Sequence, residues 1–265
     1  MKALLTALAV AVAGVLAGLL GLLIVRGAPG LSPDFLLSLP ARAGREGGIL
    51  SVLVATGWLV GGALVIALPL GVGTALYLQE YAAGSRLVGL VRGLTEALAG
   101  VPSILFGLFG FSLFVIRLGW GWSLASGSAT LALMVLPTII RTAEEALLAV
   151  PRELREGAAA LGATQWESLT KIILRAAAPG ILTGVMLGLG RALGETAAVL
   201  LTAGSNLGMP ASPLDSGRPM AVHLYILATE GLSEGRAWAT ALALVLGVLV
   251  VNLAANLTLG RRRRT

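Results

Sequence analysis

Long stretches without a charged side chain dominate this 265-residue chain. A helix needs roughly 20 mainly apolar residues to cross the hydrocarbon core of a bilayer. Six charge-free runs meet or approach that length, the fifth of them only if its helix continues through two charges to about Ala203. The runs cover residues 3–25, 47–79, 97–116, 118–140, 176–190 and 237–260. The sequence therefore predicts an all-α integral membrane protein with about six transmembrane helices.

Composition narrows the chemistry. The chain has 12% charged residues and a mean hydropathy of +0.91, whereas soluble domains carry about 25% charged residues. It has no cysteine, so thiol catalysis and cysteine-bound metals are excluded, and the one histidine, His223, cannot form a multi-histidine site. Neither lysine lies in a phosphate-binding loop of the form G-x-x-x-x-G-K-[ST]. We therefore expect no cofactor in this chain, and ATP and Mg²⁺, if used, on a separate subunit.

The basic residues predict the orientation. With both termini in the cytoplasm, twelve of the nineteen Lys and Arg lie inside, as the positive-inside rule favours. The first run is then an uncleaved helix rather than a signal peptide, since it is longer than a typical signal core. The basic tail at 261–265 favours contact with membrane lipid over nucleic acid.

Residues 142–180 are too polar to span and too regular for a loose loop. Pro151 suits the first turn of a short helix that ends at Gly162. Thr164 and Glu167 form a capping-box pattern that begins a second helix, running towards Pro179. The two helices predict an exposed corner whose apex is lined by residues 158–161. An amphipathic hairpin lying on the membrane is the alternative.

This segment resembles the cytoplasmic signature of ABC-importer permeases, which reads E-A-A, three residues, Gly, nine residues, Ile-x-Leu-Pro. The spacing is intact, although Gly157 and Arg175 replace an alanine and the final proline. The matching positions are Glu156, Ala158, Gly162, Ile172 and Leu174, with Arg155 beside them. Five further stretches are similar to phosphate-importer permeases of the PstA type. They are GGILSVLVATG at 47–57, ALYLQEYA at 75–82, GVPSILFGLFG at 100–110, LPTIIRTAEEALLAVP at 136–151 and RALGETAAVLLTAG at 191–204.

The resemblance implies a five-helix type I importer core with a cytoplasmic coupling helix. It divides the chain into a first helix and periplasmic loop (1–46), a permease domain (47–260) and the basic tail. It implies a homologous permease subunit of the PstC type and two ATPase subunits docked on the 142–180 segment. A periplasmic or lipid-anchored phosphate-binding protein would deliver phosphate, and the location is the cytoplasmic membrane of a bacterium or archaeon. The outside segment 204–235 would lie where that protein docks, or would be a simple connector.

Arg191 and Glu195 interrupt an otherwise apolar segment. Charges inside a membrane usually face a cavity or one another. Four residues apart on one helix, the two could form a structural ion pair. Alternatively Arg191, with Glu195 and Thr196, lines the path of an oxyanion, because the arginine fork matches phosphate geometry. Two other classes stay open: an anion channel or secondary transporter using Arg191, and, within the importers, a sulfate or molybdate permease.

Overall fold

The computed structural model describes residues 1–82 and 84–262. Within these residues, five helices are long and apolar enough to cross a membrane, and a bent helix pair brings the number to six. The all-α membrane fold is therefore confirmed. We call the end of the bundle that holds Glu80 and Leu148 the inner end, after the predicted orientation. The predicted tail begins at the end of the last helix, and its residues 263–265 lie outside the described part of the chain.

The long helices enclose shorter ones that connect them. The α-helices in chain order are α1 (Lys2–Gly27), α2 (Pro33–Leu37), α3 (Leu50–Glu80), α4 (Arg86–Ala99), α5 (Ser103–Gly110), α6 (Leu124–Leu148), α7 (Arg152–Ala160), α8 (Gln165–Glu167), α9 (Leu174–Gly194), α10 (Ala197–Thr202), α11 (Met220–Thr229) and α12 (Glu234–Arg262). Two π-helical segments, Phe111–Arg117 and Ser168–Ile173, continue α5 and precede α9. The strands β1 (Pro40–Ala41) and β2 (Glu46–Gly47) form a small antiparallel ribbon in the 28–49 loop.

The span predicted at 97–116 differs from the structure. Its first residues belong to α4, and the apolar part that follows is Ser103–Arg117, which meets α4 at an angle of 102°. The bend lies at Gly100–Pro102, where proline lacks a backbone N–H donor and disfavours helical geometry in the residue before it. α4 is therefore an amphipathic helix set across the inner end of α3 and α6 rather than the start of a straight span.

α6 is the central helix, with α3 and α9 packed along it. The close approach of α9 depends on Gly184, and Gly188 lies in the same contact. A Cβ atom at Gly184 would collide with the side chain of Thr142, and one at Gly188 would lie 3.6 Å from Val135. The two glycines have the G-x-x-x-G spacing that lets neighbouring helices approach closely, and here they lie in a packing face. The similar pair Gly190 and Gly194 has nothing within 4 Å of either Cβ position, so it forms no helix contact among the described residues.

The outer end is closed by loops and by α11. The GWGWS turn at 119–123 uses positive φ angles at Gly119 and Gly121. Trp120 stacks on Phe114 of the preceding π-helical segment, and Trp122 packs against Phe111 in a tilted arrangement. α11 packs against α12 and α3. His223 in α11 is 1% exposed, which fits a packed imidazole rather than a solvated one.

Candidate functional site

Arg191 lies near the middle of the membrane-spanning part of the bundle. Gly188 on α9 faces Val135 and Ile139, which flank the centre of the 25-residue helix α6. Arg191 is three residues further towards the outer end, a rise of about 4.5 Å along the helix. Its level is therefore close to the centre of the spanning region, where a charge is most costly.

The side chain of Arg191 points away from the packed interior. Its neighbour Ala192 is 2% exposed and belongs to the central core, whereas Arg191 is exposed, like Leu187 one turn below it. Among the described residues, no side chain or carbonyl accepts a hydrogen bond from its guanidinium. Arg191 therefore presents an unpaired charge on the open face of this chain.

The helix predicted to continue to Ala203 breaks directly after Gly194. Glu195 adopts an extended conformation with ψ 127°, and α10 begins two residues later. The carboxylate of Glu195 accepts a hydrogen bond from the amide of Ala198 at 3.2 Å, which satisfies one of the backbone donors that a helix start leaves unpaired. Thr196, half-buried, occupies the position before α10. The break thus places an irregular backbone segment within the membrane, a feature tolerated where it is buried in protein or lines a cavity.

This break removes the geometric basis of the predicted ion pair. Residues four apart meet on one face only while the helix continues, and the chain leaves helical geometry at Glu195. Within the described part of the chain, no ion pair joins Arg191 to Glu195. This structure therefore places Arg191 and Glu195 beside the same helix break without an ion pair between them.

A neighbouring short helix supports the break. α5 packs against α10, and a Cβ atom at Gly107 would lie 2.7 Å from the Cα of Ala198. α10 in turn contributes Val199 to the central core. The GVPSILFGLFG stretch thus holds α10 in place through direct backbone contact.

The predicted coupling corner is present, with one correction. α7 ends in a Schellman motif: the amide of Ala163 donates to the carbonyl of Ala158 (3.1 Å), that of Gly162 donates to Ala159 (3.0 Å), and Gly162 has φ +76°. Leu161 is 89% exposed, but Ala158 is 3% exposed and faces the protein. The exposed apex therefore consists of residues 159–162, with Glu156 exposed on α7 as well.

The second helix of the corner begins as predicted and continues further. Thr164 and Glu167 form the capping box, each side chain accepting the other's backbone amide at 3.2 Å. The helical path then passes through Ile172, Leu174 and Arg175 into α9 without an interruption at Pro179. Ile172 and Leu174 are half-buried, and Leu174 packs against the inner apolar cluster. The departure from the signature at Arg175 therefore ends no helix.

The inner end contains a polar cluster that the sequence reasoning missed. Glu80 pairs with Arg155, and Glu144 pairs with Arg92 at 3.1 Å. The sequence signal for this cluster was weak. In the doublet Glu144–Glu145, one carboxylate of a packed helix must face inwards, but the partners of Glu144 are 52 and 65 residues away in the sequence. Beside this cluster a cleft of about 220 Å³ opens between α4 and α6. It is lined by Thr95, Glu96, Ala99, Pro137, Thr138, Arg141, Thr142 and Glu145.

The described residues contain no group of three or more His, Cys, Asp or Glu side chains placed to hold a metal ion.

The family described as binding-protein-dependent transport system inner membrane component matches residues 67–264. The chain belongs to this family. The matched region begins within α3 and includes both the broken helix at Glu195 and the exposed corner at Gly162.

Curated relatives agree with the PstA-type resemblance. The phosphate transport system permease protein PstA of Haemophilus influenzae is 38% identical over 87% of this permease and 82% of its own length. PstA 1 of Mycobacterium tuberculosis is 37% identical over 82% of this chain and 72% of its own. A probable ABC transporter permease protein of Bacillus subtilis, YqgI, is 34% identical over 92% and 89% of the two chains.

Solved structures show the same fold at lower identity. A bacterial ABC transporter involved in the import of alginate superposes with a TM-score of 0.67 at 17% identity, covering 93% of this chain and 89% of that one. The inward-facing methionine transporter MetNI gives a TM-score of 0.61 at 22% identity, covering 79% and 91%. The type I importer fold of this permease is therefore confirmed.

Proposed function

We propose that this permease is the membrane subunit through which an ATP-driven importer moves inorganic phosphate across the cytoplasmic membrane, with both termini in the cytoplasm. The substrate rests on the PstA relatives, whose names specify phosphate transport. The observation that carries the transport role is the position of Arg191, an exposed charge with no partner among the described residues, in the last turn of α9 and near the middle of the membrane-spanning part of the bundle.

A charged side chain at that level must be surrounded by water or protein rather than by lipid. Arginine at the centre of a lipid-facing helix costs about 2.5–3.5 kcal/mol on insertion scales. The face of α9 that carries Arg191 and Leu187 is therefore expected to meet a homologous permease subunit of the PstC type, with a water-filled path between the two. The guanidinium offers five donors in a planar fork that matches phosphate oxygens.

Glu195 and Thr196 act beside this arginine. The Thr196 hydroxyl lies at the break and offers a further donor to an oxyanion. The negative charge of Glu195 opposes tight anion binding, which a transporter must avoid because the substrate has to leave. Arg191, Glu195 and Thr196 are thus proposed as the substrate path, with Glu195 lowering the residence time of phosphate.

Energy for transport comes from outside this chain. We propose that two ATPase subunits, which carry the ATP and Mg²⁺, dock on the corner formed by α7 and Gly162. Leu161 and the small residues 159–160 fit a groove contact because they are exposed at its apex. A periplasmic or lipid-anchored phosphate-binding protein delivers substrate at the outer segment 204–235. The regularity of the corner favours this arrangement over an anion channel, which needs no docking site.

Reconstitution tests the proposal directly. The chain, its partner permease, the ATPase and the binding protein are placed in liposomes, and entry of labelled phosphate is followed with unlabelled sulfate or molybdate as competitors. We expect entry that requires ATP and the binding protein and is competed by phosphate alone. Flux without ATP would show a channel or secondary transporter. Preferential competition by sulfate or molybdate would overturn the substrate.

A further inference from the structure

The coupling helix is tied to the inner end of α3 by a largely buried ion pair. Arg155 on α7 donates through Nη1 to the Glu80 carboxylate and through Nη2 to the carbonyl of Leu147 at 3.1 Å. The side chains of Glu80 and Arg155 are only 12% and 29% exposed. Gln165, the first residue of α8, also donates to the backbone carbonyl of Glu80 at 3.3 Å. One residue of α3 therefore contacts both helices of the corner.

The preceding residue of α3 contacts a second cluster. Gln79 donates to the Glu144 carboxylate of α6 at 3.2 Å. The same carboxylate oxygen accepts from Arg92 of α4, at 3.3 Å from Nε and 3.1 Å from Nη2. Glu144 is 7% exposed, so its charge depends on these donors. Gln79 thus connects α3 to both α6 and the crossing helix α4.

Apolar packing surrounds the two clusters. Ala143 and Leu147 of α6 pack with Leu169 and Ile173 of the π-helical segment, beside the Arg155 contact. Leu78 of α3 packs with Val88 of α4, beside the Glu144 contact. The hydrogen bonds of the two clusters therefore lie between packed apolar surfaces. In that setting they fix the relative orientation of the helices more strongly than exposed ion pairs do.

We propose that Gln79 and Glu80 form an inner junction that transmits movement of the coupling corner to α3, α4 and α6. The proposal rests on the proposed function in one respect: the ATPase acts through α7. A buried ion pair adds little net stability, but losing one partner leaves a costly unpaired charge. The pair therefore contributes a fixed geometry between α7 and α3. The forked contact of Arg155 makes this connection directional, because one planar group holds two helix ends. These are positioning residues, and they need not contact phosphate.

The test uses Glu80→Gln in the assembled complex. Three quantities are measured: the amount of ATPase that co-purifies, the ATP hydrolysed and the phosphate transported. We expect ATPase association to persist while phosphate transported per ATP falls at least about fivefold, the lower range of typical coupling between sites. The control is Glu46→Gln, which breaks another Arg–Glu pair, Arg42–Glu46, whose side chains are 75% and 56% exposed. Exposed pairs contribute little, so this variant should keep the wild-type ratio.

A distance measurement tests the junction without depending on which substrate the complex transports. Because the natural chain lacks cysteine, spin labels can be attached at Leu90→Cys on α4 and Val15→Cys on α1, both exposed positions. A non-hydrolysable ATP analogue should change this distance in the otherwise wild-type complex and leave it nearly unchanged with Glu80→Gln. If the wild-type complex moves no phosphate, the proposed substrate is wrong, and the distance change still tests the junction.

A second, conservative variant tests the junction if Glu80→Gln fails to fold. Arg155→Lys keeps the charge but cannot hold both Glu80 and the Leu147 carbonyl with one planar group. It should assemble and show the same loss of coupling. A wild-type transport ratio together with a wild-type distance change, in either Glu80→Gln or Arg155→Lys, would overturn the junction.

Discussion

Arg191 and Glu195 stand on opposite sides of a helix break, and no ion pair joins them among the described residues. Glu195 instead accepts the amide of Ala198 at the start of α10. The arginine is left on the open face of the chain, near the level of Val135 and Ile139. The two charges therefore have separate structural roles, and their variants should not compensate each other.

Combined substitution tests this separation. Glu195→Ala removes the cap of α10, which costs about 1 kcal/mol in typical helix starts, and we expect a lower melting temperature with folding retained. Arg191→Leu should leave the melting temperature nearly unchanged. The double variant Arg191→Leu, Glu195→Leu should transport no better than Arg191→Leu alone. Recovery of labelled phosphate uptake in the double variant, normalised to membrane protein level, would restore the structural-pair interpretation.

The contact between α9 and α6 should be sensitive to one methyl group. Gly184→Ala places a Cβ against the Thr142 side chain, and overpacking of this kind typically costs about 1–3 kcal/mol. We expect a clearly reduced melting temperature in detergent. Gly190→Ala is the matched control because its Cβ position is open. Equal stability of the two variants would show that α9 does not pack on α6 as described.

The glycine at the corner should matter for docking more than for insertion. Gly162→Val forces a β-branched side chain into φ +76°, at a cost of about 1–2 kcal/mol for left-handed geometry, and it adds bulk to the apex. We expect normal membrane levels, weak co-purification of the ATPase and little uptake. Gly157→Ala, within helical geometry on α7, should retain both. Full ATPase association with Gly162→Val would remove the corner as the docking site.

Acid should loosen the outer layer through His223. Burial, and then the nearby charge of Arg218, lower the pKa of His223 from 6.5 to about 4. Between these values the unfolded chain binds a proton more readily than the folded one, so stability falls as the pH decreases from about 6.5 towards 4. The loss of unfolding free energy is at most about 3–4 kcal/mol.

Melting temperatures at pH 7.5 and pH 5 check the histidine. We expect His223→Phe, which cannot titrate, to lose less stability on acidification than the natural chain. An identical decrease in both proteins would assign the effect to other groups.

Most of the spans, the corner and the capping box were predictable because each depends on local sequence, whereas the bend within 97–116 was missed. Hydropathy identifies apolar helices, and Gly162 and Thr164 act on backbone within a few residues of themselves. The broken helix at Glu195 was not predictable in the same way. Its stability depends on α5 packing against α10, so an apolar run continuing past Gly194 gives no sign of the break.

The inner junction joins residues that are far apart in the sequence, so no local pattern predicts it. Glu80 and Arg155 are 75 residues apart, and Arg92 and Glu144 are 52 apart. Each looks like an ordinary charge at a helix end. Ala158 illustrates the same limit, since the signature position alone could not show that its side chain faces inwards.

The most direct measurement is ATP-driven phosphate entry into liposomes that contain the complete complex with Arg191→Leu. We predict that entry falls at least about tenfold, because the unpaired donor in the path is lost, while ATPase association and melting temperature stay close to those of the natural complex. A tenfold change corresponds to about 1.4 kcal/mol, less than charged hydrogen bonds commonly contribute. Phosphate entry at the natural rate with Arg191→Leu would contradict the central claim that this arginine lines the phosphate path.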